Sequence, residues 1–210
     1  MNIKQLALLT SLTLPMTVLS HADTVEVDSL SQLLDGLHSY SADFKQTLKD
    51  DRGDIIQQSS GEMAVVNTGK LRWQTLHPFN QLVVTDGDKL WRYDADLEQA
   101  TVGGFNIDLS QTPALLLSGN VSELSAKYDV QGAVDNVGSG AFTLIPTSKD
   151  SLFDQLTIHF VSGEVSTMEL KDGFSQQTII QFSDGHKNPS LNSDLFQFIP
   201  PPGTDVLVEQ

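Results

Sequence analysis

Turn-forming clusters recur along this chain at short intervals, and they restrict it to folds built from short segments. Asp50-Asp51-Arg52-Gly53-Asp54, Asn67-Thr68-Gly69, Asp86-Gly87-Asp88, Asp172-Gly173 and Asp184-Gly185 all favour reversal of the backbone. Between them lie runs rich in Val, Ile, Thr and aromatics, at 63–66, 71–76, 81–85, 90–94, 142–145, 156–161, 166–171 and 178–183. Phe44, Gln46 and Leu48 alternate in the same way. About ten strands at this spacing predict a mostly β protein: one meandering sheet, a barrel or a sandwich.

Helix is scarce. Leu30, Leu33, Leu34 and Leu37 recur at helical spacing, and Ser29-Leu30-Ser31-Gln32 fits a capping box ahead of them. Thr112-Pro113-Ala114-Leu115-Leu116-Leu117 reads as a short apolar helix with Pro near its start and Gly119 as its stop. Pro200-Pro201-Pro202-Gly203 excludes a long helix or a central strand from the tail.

Residues 1–22 read as a cleaved secretory signal: Lys4, an apolar stretch from Leu6 to Leu19, and Ser20-His21-Ala22 as a small-x-small site. The stretch is short for a membrane span. Removing it from 210 residues leaves 188, and since it takes one Lys the net charge moves from −15 to −16. No internal repeat or linker divides 23–210, which is expected to be a single domain. The acidity argues against nucleic acid and against anionic lipid surfaces. There is no cysteine, hence no disulfide and no thiol on which to build a lipid anchor, and a soluble exported protein is expected.

Catalytic patterns are wanting. The histidines at 21, 38, 77, 159 and 186 have no metal-ligand spacing, and no metal or cofactor is expected. Gly138-Ser139-Gly140 lacks the strand–turn–helix setting of a dinucleotide site and reads as a hairpin loop. Arg52-Gly53-Asp54 sits in an acidic turn, and Asn120-Val121-Ser122 is a formal glycosylation sequon. What remains is apolar parity: Met63/Val65, Leu71/Trp73, Leu82/Val84, Phe142/Leu144, Leu156/Ile158/Phe160 and Ile180/Phe182 each point to one face of their strand. With so little helix to cover them, such residues either pack as a core or line a cavity.

Gly61-Glu62-Met63, Leu71-Arg72-Trp73, Pro78, Val84-Thr85-Asp86-Gly87, Leu90-Trp91-Arg92-Tyr93 and Asp96 to Thr101 resemble the central strands of the LolA-type lipoprotein carriers. Thr112 to Leu116, Phe142 to Pro146 and the tail from Phe196 to Val206 extend the resemblance over nearly the whole chain. It implies a curved, unclosed, antiparallel barrel-like sheet with a helical lid over a hydrophobic concave face. It also implies a monomeric periplasmic carrier that takes acylated lipoproteins from an inner-membrane ABC exporter to an outer-membrane receptor. The cavity is then expected from Met63, Val65, Leu71, Trp73, Leu82, Val84, Phe142, Leu144, Ile158 and Phe160, and the lid from Leu33, Leu37, Leu115 and Leu116. Where the family usually carries a lid-holding basic residue before Pro, this chain has Asn67 and Thr68, which implies a looser lid. The alternatives are the receptor itself, which the missing cysteine disfavours, a periplasmic lipid sensor, or a small lipid hydrolase.

Overall fold

Among the residues described in the computed structural model (22–105, 113–118 and 124–209), twelve segments join into one sheet. An antiparallel meander runs through β1 (Ser39–Lys49), β2 (Ile55–Val66), β3 (Lys70–His77), β4 (Gln81–Thr85), β5 (Lys89–Asp94) and β6 (Gln99–Gly104). A second takes β7 (Tyr128–Val134), β8 (Gly140–Pro146), β9 (Phe153–Val161), β10 (Glu164–Asp172) and β11 (Gln177–Lys187) back to pair with β1. β12 (Asp205–Val208) adds in parallel to β6. The outermost strands, β12 and β7, do not meet, so the sheet stays open.

The turns hold because their aspartates replace missing backbone partners. Asp50 accepts from the amides of Arg52 and Asp54, Asp86 from those of Asp88 and Lys89, and Asp172 from those of Phe174 and Gln176. Arg52 is folded back onto Asp50 at 3.1 Å, so the adhesion-like tripeptide is a turn closure. Gly138 and Ser139 lie in the β7–β8 hairpin, where Asp135 accepts from the amides of Val137 and Ser139.

Two local readings are corrected. Helix α1 spans Ala22–Asp35, so Ser29 is interior and its hydroxyl donates back to the Val25 carbonyl at 2.8 Å instead of capping. Asp184-Gly185 does not end a strand: it lies within β11, where the pairing with β1 slips between Ser41 and Asp43. The reversal signal makes a bulge there, with Asp184 at φ +49°. The expected leader, 1–22, lies outside the described residues except for Ala22.

Glycines opposite phenylalanines shape the inner face. Gly61, Gly132 and Gly140 pair directly with Phe44, Phe142 and Phe160. At Gly61 a Cβ would fall on the Gln74 carbonyl, so the close approach of β2 to β3 there requires glycine.

Candidate functional site

Register decides which face each apolar residue occupies, because directly paired residues point the same way. Tyr40 and Ala42 face the same side as Val65 and Met63, which in turn match Leu71 and Trp73. From β1 the same face continues through Phe44, Phe182 and Ile180 to Met168, Ile158 and Phe142, and along a parallel row through Leu170, Leu156, Leu144 and Val130. The stretch from β3 to β7 therefore presents one apolar surface. Phe44 stacks on Trp73 with ring centroids 3.8 Å apart, and Phe142 meets Phe160 edge-on.

Two pieces cover this face. The 3-10 helix Pro113–Ser118 packs against β2, β3 and β10, with Ala114, Leu115, Leu116 and Leu117 buried. α1 packs against β7, burying Leu30 and Leu34; Leu37, just beyond it, is buried and Leu33 half-buried against the same core. A flat sheet of twelve strands would be about 50 Å wide. Here residues from β2 and from β8 share one cluster with both cover pieces, so the sheet curls around its lid. The buried interior is nearly uncharged. Tyr40 donates to the Val165 carbonyl at 3.3 Å, and burial, reinforced by Glu164, pushes its phenol above the usual range.

Eight of the ten expected lining residues thus share the covered face. Leu82 and Val84 do not. In the β3–β4 pairing, Leu71 and Trp73 lie opposite Thr85 and Val83, whereas Arg72 and Gln74 lie opposite Val84 and Leu82. Leu82 and Val84 instead share the outer face with Tyr93 and Trp91. Phe198 packs on both of those rings, and Arg72 donates to the Leu195 carbonyl at 3.4 Å. The C-terminal segment thus builds a second core behind the sheet, around Phe196 and Phe198. Parity within β4 showed an apolar row but not its side, and both sides of that strand are covered. Val83 and Thr85 take the expected places.

Asn67 reaches Nδ1 of His38 with its amide at 3.5 Å, and its N–H donates to the His38 carbonyl. It therefore touches the connection after α1; among the described residues no bond joins its side chain to 113–118. The same junction is pinned by Asn188, whose Oδ1 accepts from the amides of His38 and Ser39 while its Nδ2 donates to Gly36.

Among the described residues a recess of about 150 Å³ opens at the edge of the covered face, between Gln46, Trp73, Thr75, Gln81, Val83, Pro113 and Ile180. A second, about 410 Å³, lies over β4–β6 beside Arg92, and Gln81 and Val83 border both. Among the described residues no group of three or more His, Asp or Glu is placed to hold a metal.

The family model described as "Outer membrane lipoprotein carrier protein LolA" matches residues 35–199. A protein of Pseudomonas syringae pv. syringae named outer-membrane lipoprotein carrier protein is 41% identical over 209 residues, covering 100% of both chains. One of the same name from Pseudomonas entomophila is 42% identical, over 91% of this chain and 92% of its own. Among solved structures, a LolA superfamily protein from Nitrosomonas europaea shares the fold at TM-score 0.51 and 10% identity, covering 85% of this chain and 99% of its own. An uncharacterised protein from Thermus thermophilus does so at TM-score 0.53 and 11% identity, over 86% and 99%.

Proposed function

The chain belongs to the LolA family of outer membrane lipoprotein carrier proteins, and from that premise we propose that it shields the acyl chains of lipoproteins in transit through the periplasm. It takes them from an inner-membrane ABC exporter and yields them to an outer-membrane receptor. It acts as a monomer, after loss of the leader 1–22. The relatives are named as carriers, and the function is binding rather than catalysis.

The observation that carries this reading is a large apolar face closed by small, separable covers. Acyl chains bind on the apolar face where Leu115, Leu116 and Leu117 are now buried, once those side chains leave it. One long acyl chain withdrawn from water is worth on the order of 12 kcal/mol gross. Displacing Leu115, Leu116 and Leu117 from the core subtracts from that, so a carrier without its own energy source can still release what it holds.

The test is direct. Mature protein incubated with spheroplasts should release newly made lipoproteins into the medium as a soluble complex. Val83→Glu puts a carboxylate at the half-buried edge of the recess, where the fold tolerates it better than at fully buried Leu71. That variant should fold and release none. Undiminished release would overturn the assignment of the recess as the entrance.

A further inference from the structure

The link between α1 and β1 is held by one side chain from across the sheet. A helix leaves its last carbonyls without partners, and the residues that lead from it into a strand have amides to satisfy as well. At 36–39 both find Asn188, the residue after β11. Its Oδ1 accepts from the His38 amide at 2.8 Å and the Ser39 amide at 3.2 Å, and its Nδ2 donates to the Gly36 carbonyl at 3.0 Å. Its own N–H donates to the Ser39 carbonyl at 2.8 Å, and the Ser39 hydroxyl donates to the Pro189 carbonyl at 2.8 Å. Asn188 sits in the left-handed region at φ +57°, which asparagine enters more readily than most residues.

We propose that Asn188 is the positioning residue of the α1 cover: it fixes the helix over the apolar face, and its hold sets how readily that side of the face opens to an acyl chain. The inference rests on the carrier function above and goes beyond it by making α1 a second moving part of the lid. Two attachments keep α1 in place. One is packing on β7, the outermost strand, with Leu30 and Leu34 buried in the core. The other is the short link Gly36-Leu37-His38 to β1, a strand in the middle of the sheet. A turn about that link carries Leu30 and Leu34 off the face, while Leu37 stays beside the pivot. Asn188 opposes the turn because one rigid carboxamide bonds to both sides of Leu37, to Gly36 on the helix side and to His38 and Ser39 on the strand side. These bonds are exposed or half-buried, so each is a modest restraint that opening can break.

Amide hydrogen exchange and binding of a fluorescent palmitate, read on the same samples, test this. Asn188→Gly removes the three side-chain bonds and suits a left-handed backbone, so the fold is kept. Exchange in α1 should quicken by about tenfold with the strand amides unchanged. Palmitate should bind more tightly, by up to about tenfold, because the open form gains population. Ser39→Ala, which loses one bond of the same junction, should shift both readings the same way by less. Asn192→Ala removes the cap of the segment Ser193–Phe196 behind the sheet and should move neither. Unchanged exchange in α1 of Asn188→Gly, or an equal shift in Asn192→Ala, would overturn Asn188 as the hold on the helix. Faster exchange with unchanged or weaker palmitate binding would overturn α1 as part of the lid and leave the carrier function standing. Failure of the wild type to bind palmitate would instead remove the carrier reading and the role of Asn188 with it.

Discussion

Single residues decide where this backbone can go. Gly61 is the tightest case: a Cβ there would fall on the Gln74 carbonyl, a backbone atom that cannot swing aside, next to the slip in pairing between Ser60 and Gly61. Gly61→Ala should therefore lower stability by on the order of 3 kcal/mol, read as a fall in urea midpoint at unchanged slope. An unchanged midpoint would mean that the bulge relaxes freely. The turn aspartates act through charge. Chiefly the Lys89 amide, with partial burial opposing and the Asp88 amide adding, holds the Asp86 carboxyl below its ordinary value of 3.8. The Gln81 carboxamide does the same for Asp94, against desolvation and with help from the amides of Leu97 and Asp96. A depressed carboxylate lends stability above its unfolded pKa and loses it as pH falls through the folded one. The urea midpoint should drop below about pH 4, and less steeply in an Asp86→Asn, Asp94→Asn double variant. Identical slopes would show that the turns do not respond to acid.

At the level of elements, the C-terminal segment is what makes β4 buried on both sides. Phe196 is 3% exposed, and Phe198 lies against Trp91 and Tyr93 at centroid distances of 5.5 and 5.2 Å. Phe196→Ala should cost about 3–5 kcal/mol in global stability, as truncation of a buried ring does. Binding of palmitate by the folded fraction should not change, because that core stands behind the sheet; weakened binding would couple the two cores. This double coverage also explains where the sequence misled. Most strands are legible from alternation, β4 at 81–85 among them. Its side could not be read, since Leu82 and Val84 look the same whether they face the lid or the tail. β6 and β7 are not legible because Gln99–Gly104 and Tyr128–Val134 carry glycine and alanine where a strand signal needs branched or aromatic side chains. The Leu triplet 115–117 was legible as an apolar cover, since a short run beside Pro has no other way to bury itself. The capping box at Ser29 was false because the helix had already begun at Ala22.

For the molecule as a whole, the proposed function makes stability and cargo affinity share one set of contacts, and they should respond to the lid in opposite directions. Leu116 is 4% exposed within the core formed by the 3-10 helix and the curved face. Truncation to Ala removes contacts made only when the lid is shut, at a cost of about 2–5 kcal/mol to the closed state. In the open state the side chain meets solvent or mobile acyl chain and loses far less. The open fraction rises, and apparent affinity rises with it, since affinity scales with the population competent to bind. Leu116→Ala should thus lower the urea midpoint while binding palmitate more tightly, by about thirtyfold or more until the open form dominates, and surrendering lipoprotein to the receptor more slowly. A general packing defect predicts the first effect alone. Leu116 acting as a direct acyl contact predicts the first together with weaker binding. Only a lid that competes with the cargo for the same face yields a less stable protein with a firmer grip, so weaker or unchanged affinity in this variant would remove the lid from the mechanism.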